Sequence, residues 1–176
     1  MLKIILIGIV FAVGVVLGLA ATKPDSFRYE STQHINATPE EIFPLVSNLP
    51  VMNQWSPFAQ IDPAAKIEYS GTESGVGSIF TWDGNDKAGA GRIEITSITA
   101  PTLVQMKLDF IRPMTATNMT DFILEPTTDG GTNVTWAMYG PQPFIGKLMS
   151  VFIDCEKMVT AEFEKGLVAL KGMAEE

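Results

Sequence analysis

The chain opens on an unbroken apolar run. Ile4 to Ala21 contains no charged residue and follows Lys3. Ile, Val and Leu fall on every face of a helix drawn through it, which leaves no polar side for water. At 1.5 Å per residue the run spans about 27 Å, close to the roughly 30 Å hydrocarbon core of a bilayer. Residues 1–21 are therefore expected to form a single-pass transmembrane anchor. A cleaved signal peptide is the rival, because Gly18 and Ala20 are small residues just ahead of a cut after Ala20. The run is long for a signal peptide and has a single Lys before it, which favours the anchor. A buried helix of the main fold is a third reading, opposed by the apolar residues on all sides. The short N-terminal tail favours an extracytoplasmic, periplasmic position for the rest of the chain, although Lys3 is balanced by Lys23 and Arg28 beyond the run. Gly14 and Gly18 form one GxxxG, a weak helix-pairing motif.

After a short linker over residues 22–26 the period changes to two. Phe27, Tyr29, Ser31, Gln33 and Ile35 share one side of a predicted strand. Thr38-Pro39-Glu40-Glu41 supplies an N-cap, a first-turn Pro and acids for a short helix with Ile42, Phe43, Leu45 and Val46 on its apolar face. Val51 to Trp55 predicts another helical turn, and Ser56-Pro57 and Asp62-Pro63 punctuate a loop. A series of strands follows: Lys66–Ser70, Ser78–Trp82, Gly89–Ile98, Val104–Phe110, Thr115–Glu125 and Asn133–Met138. Gly75-Val76-Gly77, Asp83-Gly84-Asn85-Asp86, Arg112-Pro113 and Asp129-Gly130-Gly131 form the turns between them. From Phe144 to Gly172 the spacing of three and four returns in Ile145, Leu148, Phe152, Cys155, Val159, Phe163 and Leu170. This predicts one long amphipathic helix, with Gly166 as a weak point or a place of close approach. A one-sided antiparallel sheet and a long amphipathic helix cover each other, which makes the fold class α+β.

Composition sharpens this picture by exclusion. The 176 residues carry twelve Lys and Arg against twenty Asp and Glu, a net charge of −8, which argues against nucleic acid as a partner. One Cys and one His leave no disulfide framework and no material for a Cys or His metal cluster. No cofactor is implied. The mean hydropathy is +0.19, and it falls slightly below zero once residues 1–21 are set aside, so the remainder reads as an ordinary water-exposed domain with one core.

Few residues stand out as chemistry. His34 has no nucleophile in a recognisable setting and reads as a strand-end residue. Cys155 sits on the apolar stripe of the last helix, where packing is expected rather than thiolate chemistry. Asp83, Asn85 and Asp86 fit a hairpin turn better than a calcium loop, which needs further oxygen ligands. Arg92 is outward by parity and is expected in a surface ion pair, with a ligand-carboxylate clamp as the alternative. Asn118 and Thr120 share the apolar side of their strand with Phe122 and Leu124. There they satisfy each other, meet a ligand's polar head, or are turned out by a bulge.

The order of elements carries a resemblance, together with Ile35-Asn36-Ala37-Thr38-Pro39-Glu40-Glu41-Ile42-Phe43, Trp55-Ser56-Pro57-Phe58, Trp82-Asp83-Gly84-Asn85, Gly89-Ala90-Gly91-Arg92-Ile93, Thr132-Asn133-Val134-Thr135-Trp136 and Phe163-Glu164-Lys165-Gly166-Leu167. From about Phe27 to Glu175 the chain resembles the polyketide cyclase/dehydrase and lipid-transport group of the SRPBCC (START-like, helix-grip) superfamily. The resemblance implies a helix-grip fold over residues 27–176, a curved antiparallel sheet wrapped around a long C-terminal helix, with a hydrophobic cavity between them. Cavity walls are then expected from Trp55, Tyr69, Phe80, Trp82, Met106, Phe110, Trp136, Met138, Phe152 and Met158, from Cys155 and Val159 on the helix, and from Asn118 and Thr120. The leading expectation is a membrane-tethered domain that binds or carries a hydrophobic small molecule: a lipid, an isoprenoid or a polyketide-like compound. A polyketide cyclase or dehydratase and a non-catalytic interaction or stress-related protein are the alternatives.

Overall fold

A computed structural model describes residues 2–176, apart from the side chains of Leu2 and Ile4. Helix α1 (Leu2–Ala21) leads into β1 (Ser26–Ile35), α2 (Pro39–Ser47), α3 (Leu49–Trp55) and a short 3₁₀ turn (Pro57–Gln60). Six strands follow: β2 (Lys66–Gly71), β3 (Ser78–Asp83), β4 (Ala90–Thr99), β5 (Leu103–Arg112), β6 (Ala116–Pro126) and β7 (Thr132–Pro141). Helices α4 (Phe144–Met149) and α5 (Cys155–Ala174) end the chain.

The seven strands make one antiparallel sheet in the order β1-β7-β6-β5-β4-β3-β2. Alternation along each strand decides which face is buried. Val104 and Met106 of β5, Phe122 and Leu124 of β6, and Val134 and Trp136 of β7 point to one side and are buried with Phe163, Leu167 and Leu170 of α5. Irregular register in β4 at Ala90/Gly91 and at Ile95/Ser97 marks the bulges that bend a sheet. Helices α2 and α3 close one side of the core through Ile42, Val46, Leu49 and Met52. The start of α2 is fixed by Glu41, whose carboxylate accepts from the Thr38 N–H at 2.7 Å and from the Thr38 hydroxyl at 2.9 Å.

Two sequence expectations change here. The long helix expected from Phe144 to Gly172 is two helices. Ser150 ends α4, its hydroxyl donating to the Lys147 carbonyl at 2.8 Å, and Asp154 starts α5 by accepting from the Lys157 N–H at 3.0 Å. The residues between carry Phe152 out into the open, 72% exposed. The second change concerns α1. It is a 20-residue helix, yet among the described residues no helix is long and apolar enough to cross a membrane. Its apolar side chains, including Ile5, Val10, Phe11 and Leu19, are exposed.

The joint between sheet and terminal helix is Trp136. Its indole stacks on Phe163 at 4.4 Å between ring centroids and 14° between planes. Trp55 and Phe122 meet its sides at 5.6 and 4.9 Å. Gly166 lets α5 come this close: a Cβ there would lie 2.7 Å from Trp136 Cζ3 and 2.9 Å from Pro57 Cδ. The weak point of the helix is thus the place of close approach. Gly166→Ala gains helix propensity but must push the indole or Pro57 aside, and overpacking of this kind costs about 1–3 kcal/mol. The urea midpoint of the variant is expected to fall. An unchanged or raised midpoint would show that the joint has slack.

Candidate functional site

A cavity of about 190 Å³ opens between the inner face of the sheet, α3, the 3₁₀ turn and α5. Its floor is Met106, Phe122 and Trp136. Its walls are Phe80, Trp82 and Ile93 on one side, and Met138, Val159 and Phe163 on the other. Leu108 and Phe110 lead outward, and exposed Phe58, Ile61 and Ile67 form part of the rim.

The walls are held by hydrogen bonds that point away from the space. Trp82 lies over Gly91 of the next strand, where any side chain would strike its ring, and its indole N–H donates to the Ala88 carbonyl at 3.0 Å. Phe80 stacks on Trp82 at 6.0 Å and Phe110 meets Trp82 edge-on at 6.1 Å. The Thr120 hydroxyl donates to the Ala137 carbonyl at 2.8 Å and accepts from the Trp136 indole N–H at 3.1 Å. It is therefore satisfied without a ligand, and it keeps the indole N–H from being buried unpaired. Among the described lining residues Asp62 alone is ionisable. Its carboxylate accepts from the Ala64 N–H at 3.1 Å and the Asn85 N–H at 2.8 Å, tying the rim loop to the β3–β4 turn.

The structure brings together eight of the residues expected in the walls: Phe80, Trp82, Met106, Phe110, Thr120, Trp136, Met138 and Val159. Trp55 is buried behind the floor, its indole N–H donating to the Leu45 carbonyl at 3.0 Å. Tyr69 stands on edge strand β2, exposed and outside the lining, with its ring 5.4 Å from Phe80. Asn118 is buried on the inner face outside the lining, its carboxamide laid over Gly140. Phe152 and Cys155 border a separate groove beside the start of β1, and Met158 is exposed, because the break before α5 turns this part of the stripe away from the sheet. Leu49, Met52, Phe58 and Ile61 were not foreseen in the walls; they come from helix and loop segments with no strand parity to place them. Arg92 lies on the outer face, ion-paired with Glu94 at 2.7 Å and Asp109 at 3.8 Å. His34 is at the opposite end of the sheet, 3.5 Å from Asp129.

One buried acid escaped parity. Asp121 points to the outer face, where charge is expected to be solvated, yet it is 6% exposed. Gln105 and Tyr139, on the two neighbouring strands, cover it and donate to it at 3.4 Å each. Burial pushes its carboxyl above the usual carboxylate range, while those hydrogen bonds and the Arg28 charge pull it partway back.

A family comparison matches residues 26–175 to polyketide cyclase / dehydrase and lipid transport. Comparison with curated proteins gives no match. Among solved structures, a protein of Chromobacterium violaceum is similar at 12% identity and a TM-score of 0.59, covering 88% of this chain and 99% of its own. A protein of Mesorhizobium loti is similar at 13% identity and 0.60, covering 85% and 97%. The major latex-like protein 151 of Panax ginseng is similar at 15% identity and 0.56, covering 86% and 99%. At these identities the likeness shows the fold: an α+β, helix-grip arrangement.

The raised Asp121 carboxyl sets a pH dependence. Its protonated form is favoured in the folded chain, so the stability it adds is fully present below the ordinary range near pH 4 and is lost as pH rises through the raised folded value. Asp121→Asn keeps an oxygen that accepts from Gln105 and Tyr139 and removes the charge. The variant is expected to be more stable than the parent at neutral pH, with the difference shrinking below about pH 4. Urea titrations across that range test this; a variant less stable at neutral pH would contradict the assignment.

Proposed function

The chain belongs to the polyketide cyclase / dehydrase and lipid transport family, and on that premise we propose that it binds a hydrophobic small molecule between the sheet and α5. The carrying observation is the cavity itself: its walls are chiefly aromatic, aliphatic and Met side chains, the polar groups of Thr120 and Asp62 are committed to protein partners, and Asn53 and Ser56 add polar groups to the lining. Desolvation drives binding at such a surface. A volume of about 190 Å³ exceeds the roughly 150 Å³ apolar cavity that accepts a benzene-sized guest and lies below the roughly 300 Å³ of common ligand pockets. It holds a ring system or a short acyl segment, with the remainder of a longer ligand leaving past Leu108 and Phe110. Met106 and Met138 give the walls adaptable shape. Lipid, isoprenoid and polyketide-like compounds share this chemistry.

Helix α1 is read as the attachment of this domain to a lipid surface. Its support is the row of exposed apolar side chains around the helix, which water does not stabilise. Cyclase or dehydratase chemistry, the other activity in the family description, needs a positioned acid or base. Asp62 is the ionisable group in the lining, and its engagement with two backbone N–H groups favours binding over catalysis.

The test is photo-cross-linking of the full chain, reconstituted in lipid, to a diazirine-bearing fatty acid. Cross-links are expected on Met106, Leu108 and Met138. Leu108→Trp, which fills the space, is expected to cut the yield there about tenfold, equivalent to about 1.4 kcal/mol. Cross-links confined to α1, unaffected by the substitution, would overturn the reading.

A further inference from the structure

We propose that the end of the domain at which the cavity opens rests on a lipid bilayer, so that an apolar ligand moves between bilayer and cavity without crossing water. The proposal rests on the reading of α1 as a lipid attachment.

Strand register places the pieces. Ser26 pairs with Pro141, Phe110 with Ala116, Arg112 with Ala90, and Ala90 with Asp83. These residues therefore lie along one end of the sheet. Helix α1 delivers the chain to this end at Ser26, and α4 leaves it after Pro141 and packs against α1. Helix α5 also begins here: Cys155 and Glu156 share a groove with Phe27, Arg28 and Tyr29. Its far end is at the opposite side of the domain, where Glu175 accepts from the Asn36 N–H at 2.7 Å. Trp82, Ala88 and Phe110 of the cavity wall stand at the α1 end, whereas Met106 and Phe122 lie deeper.

The same end carries exposed apolar side chains from separate segments. Met114 is in the β5–β6 turn, Phe144 and Ile145 are on α4, Phe152 and Ile153 are in the break, and Met158 is in the first turns of α5. The turn at the opposite end carries Val76 alone among the described residues of that turn as an exposed large apolar side chain, and large apolar residues gathered on one end mark a contact surface. The apolar surface of α1 continues onto α4, and this continuity selects a bilayer as the occupant. An apolar surface laid into the headgroup boundary sits about 5–10 Å deep. Lys23, Arg28 and Arg112 are interspersed with Asp25, Asp83 and Asp154 at this end, so the attraction is apolar and does not require anionic headgroups.

The experiment uses the full chain in phosphatidylcholine vesicles. Phe152→Cys and Met114→Cys, each with Cys155→Ser, carry an environment-sensitive fluorophore; Val76→Cys, in the turn at the opposite end, is the control. All three sites are exposed, so labelling leaves the core intact. Vesicle flotation and quenching by spin-labelled phosphatidylcholine are then read together. Flotation with several-fold stronger quenching at positions 152 and 114 than at 76 is the expected result. A chain that floats while all three labels are quenched alike would overturn the proposal and leave α1 as a tether only. Labels shielded by self-association, without lipid quenching, would overturn it in favour of a second copy. A chain that does not float would overturn both readings.

Discussion

The packing of Trp136 against α5 is the constraint on which the rest of the molecule depends. A seven-stranded sheet with one apolar face must be covered, and a single 20-residue helix is narrow for that task. The chain solves it by pressing α5 hard against one point, where Gly166 admits the indole and Phe163 stacks on it. Trp55 and Phe122 brace the indole from the sides, and Thr120 takes its N–H. With the helix fixed there, Val159 and Phe163 of α5 face Met106, Met138 and Phe110 of the sheet across a space that no side chain fills, and that space is the cavity.

That origin explains the character of the site. The walls are mostly core residues that lack a partner on one side, so they are chiefly apolar, and the polar atoms of Thr120, Trp82 and Trp136 are already used in protein hydrogen bonds. Burying an unpaired donor or acceptor costs about 1–3 kcal/mol, and among the described residues no fully occluded side-chain polar atom lacks a hydrogen bond. The lining therefore offers chiefly shape and dispersion contacts, with Asn53 and Ser56 as the polar groups beside them. Such a surface discriminates by size and apolarity.

Much of this was legible in the sequence where a local rule applies. Alternation placed Met106, Phe110, Trp136 and Met138 on the inner face, and Thr38-Pro39 with Glu41 marked the start of α2. The resemblance to a family then converted a one-sided sheet and a terminal helix into an expected cavity. The failures are non-local or competing. The spacing of Leu148, Phe152 and Cys155 continues a helical stripe, but the side chains of Ser150 and Asp154 offer the backbone a better stop and start. Phe58 sits in a 3₁₀ turn and Ile61 just after it, where no periodicity assigns a side. Asp121 is covered by residues from two other strands, which its own neighbours in sequence do not reveal.

The central claim is that the space between sheet and α5 is a site for an apolar small molecule. Native mass spectrometry of the full chain, extracted from a membrane with gentle detergent, tests it most directly. The account expects a retained apolar adduct that is displaced by added lipid and is absent from a variant with the cavity filled. A bare chain that takes up no member of a lipid panel would contradict it.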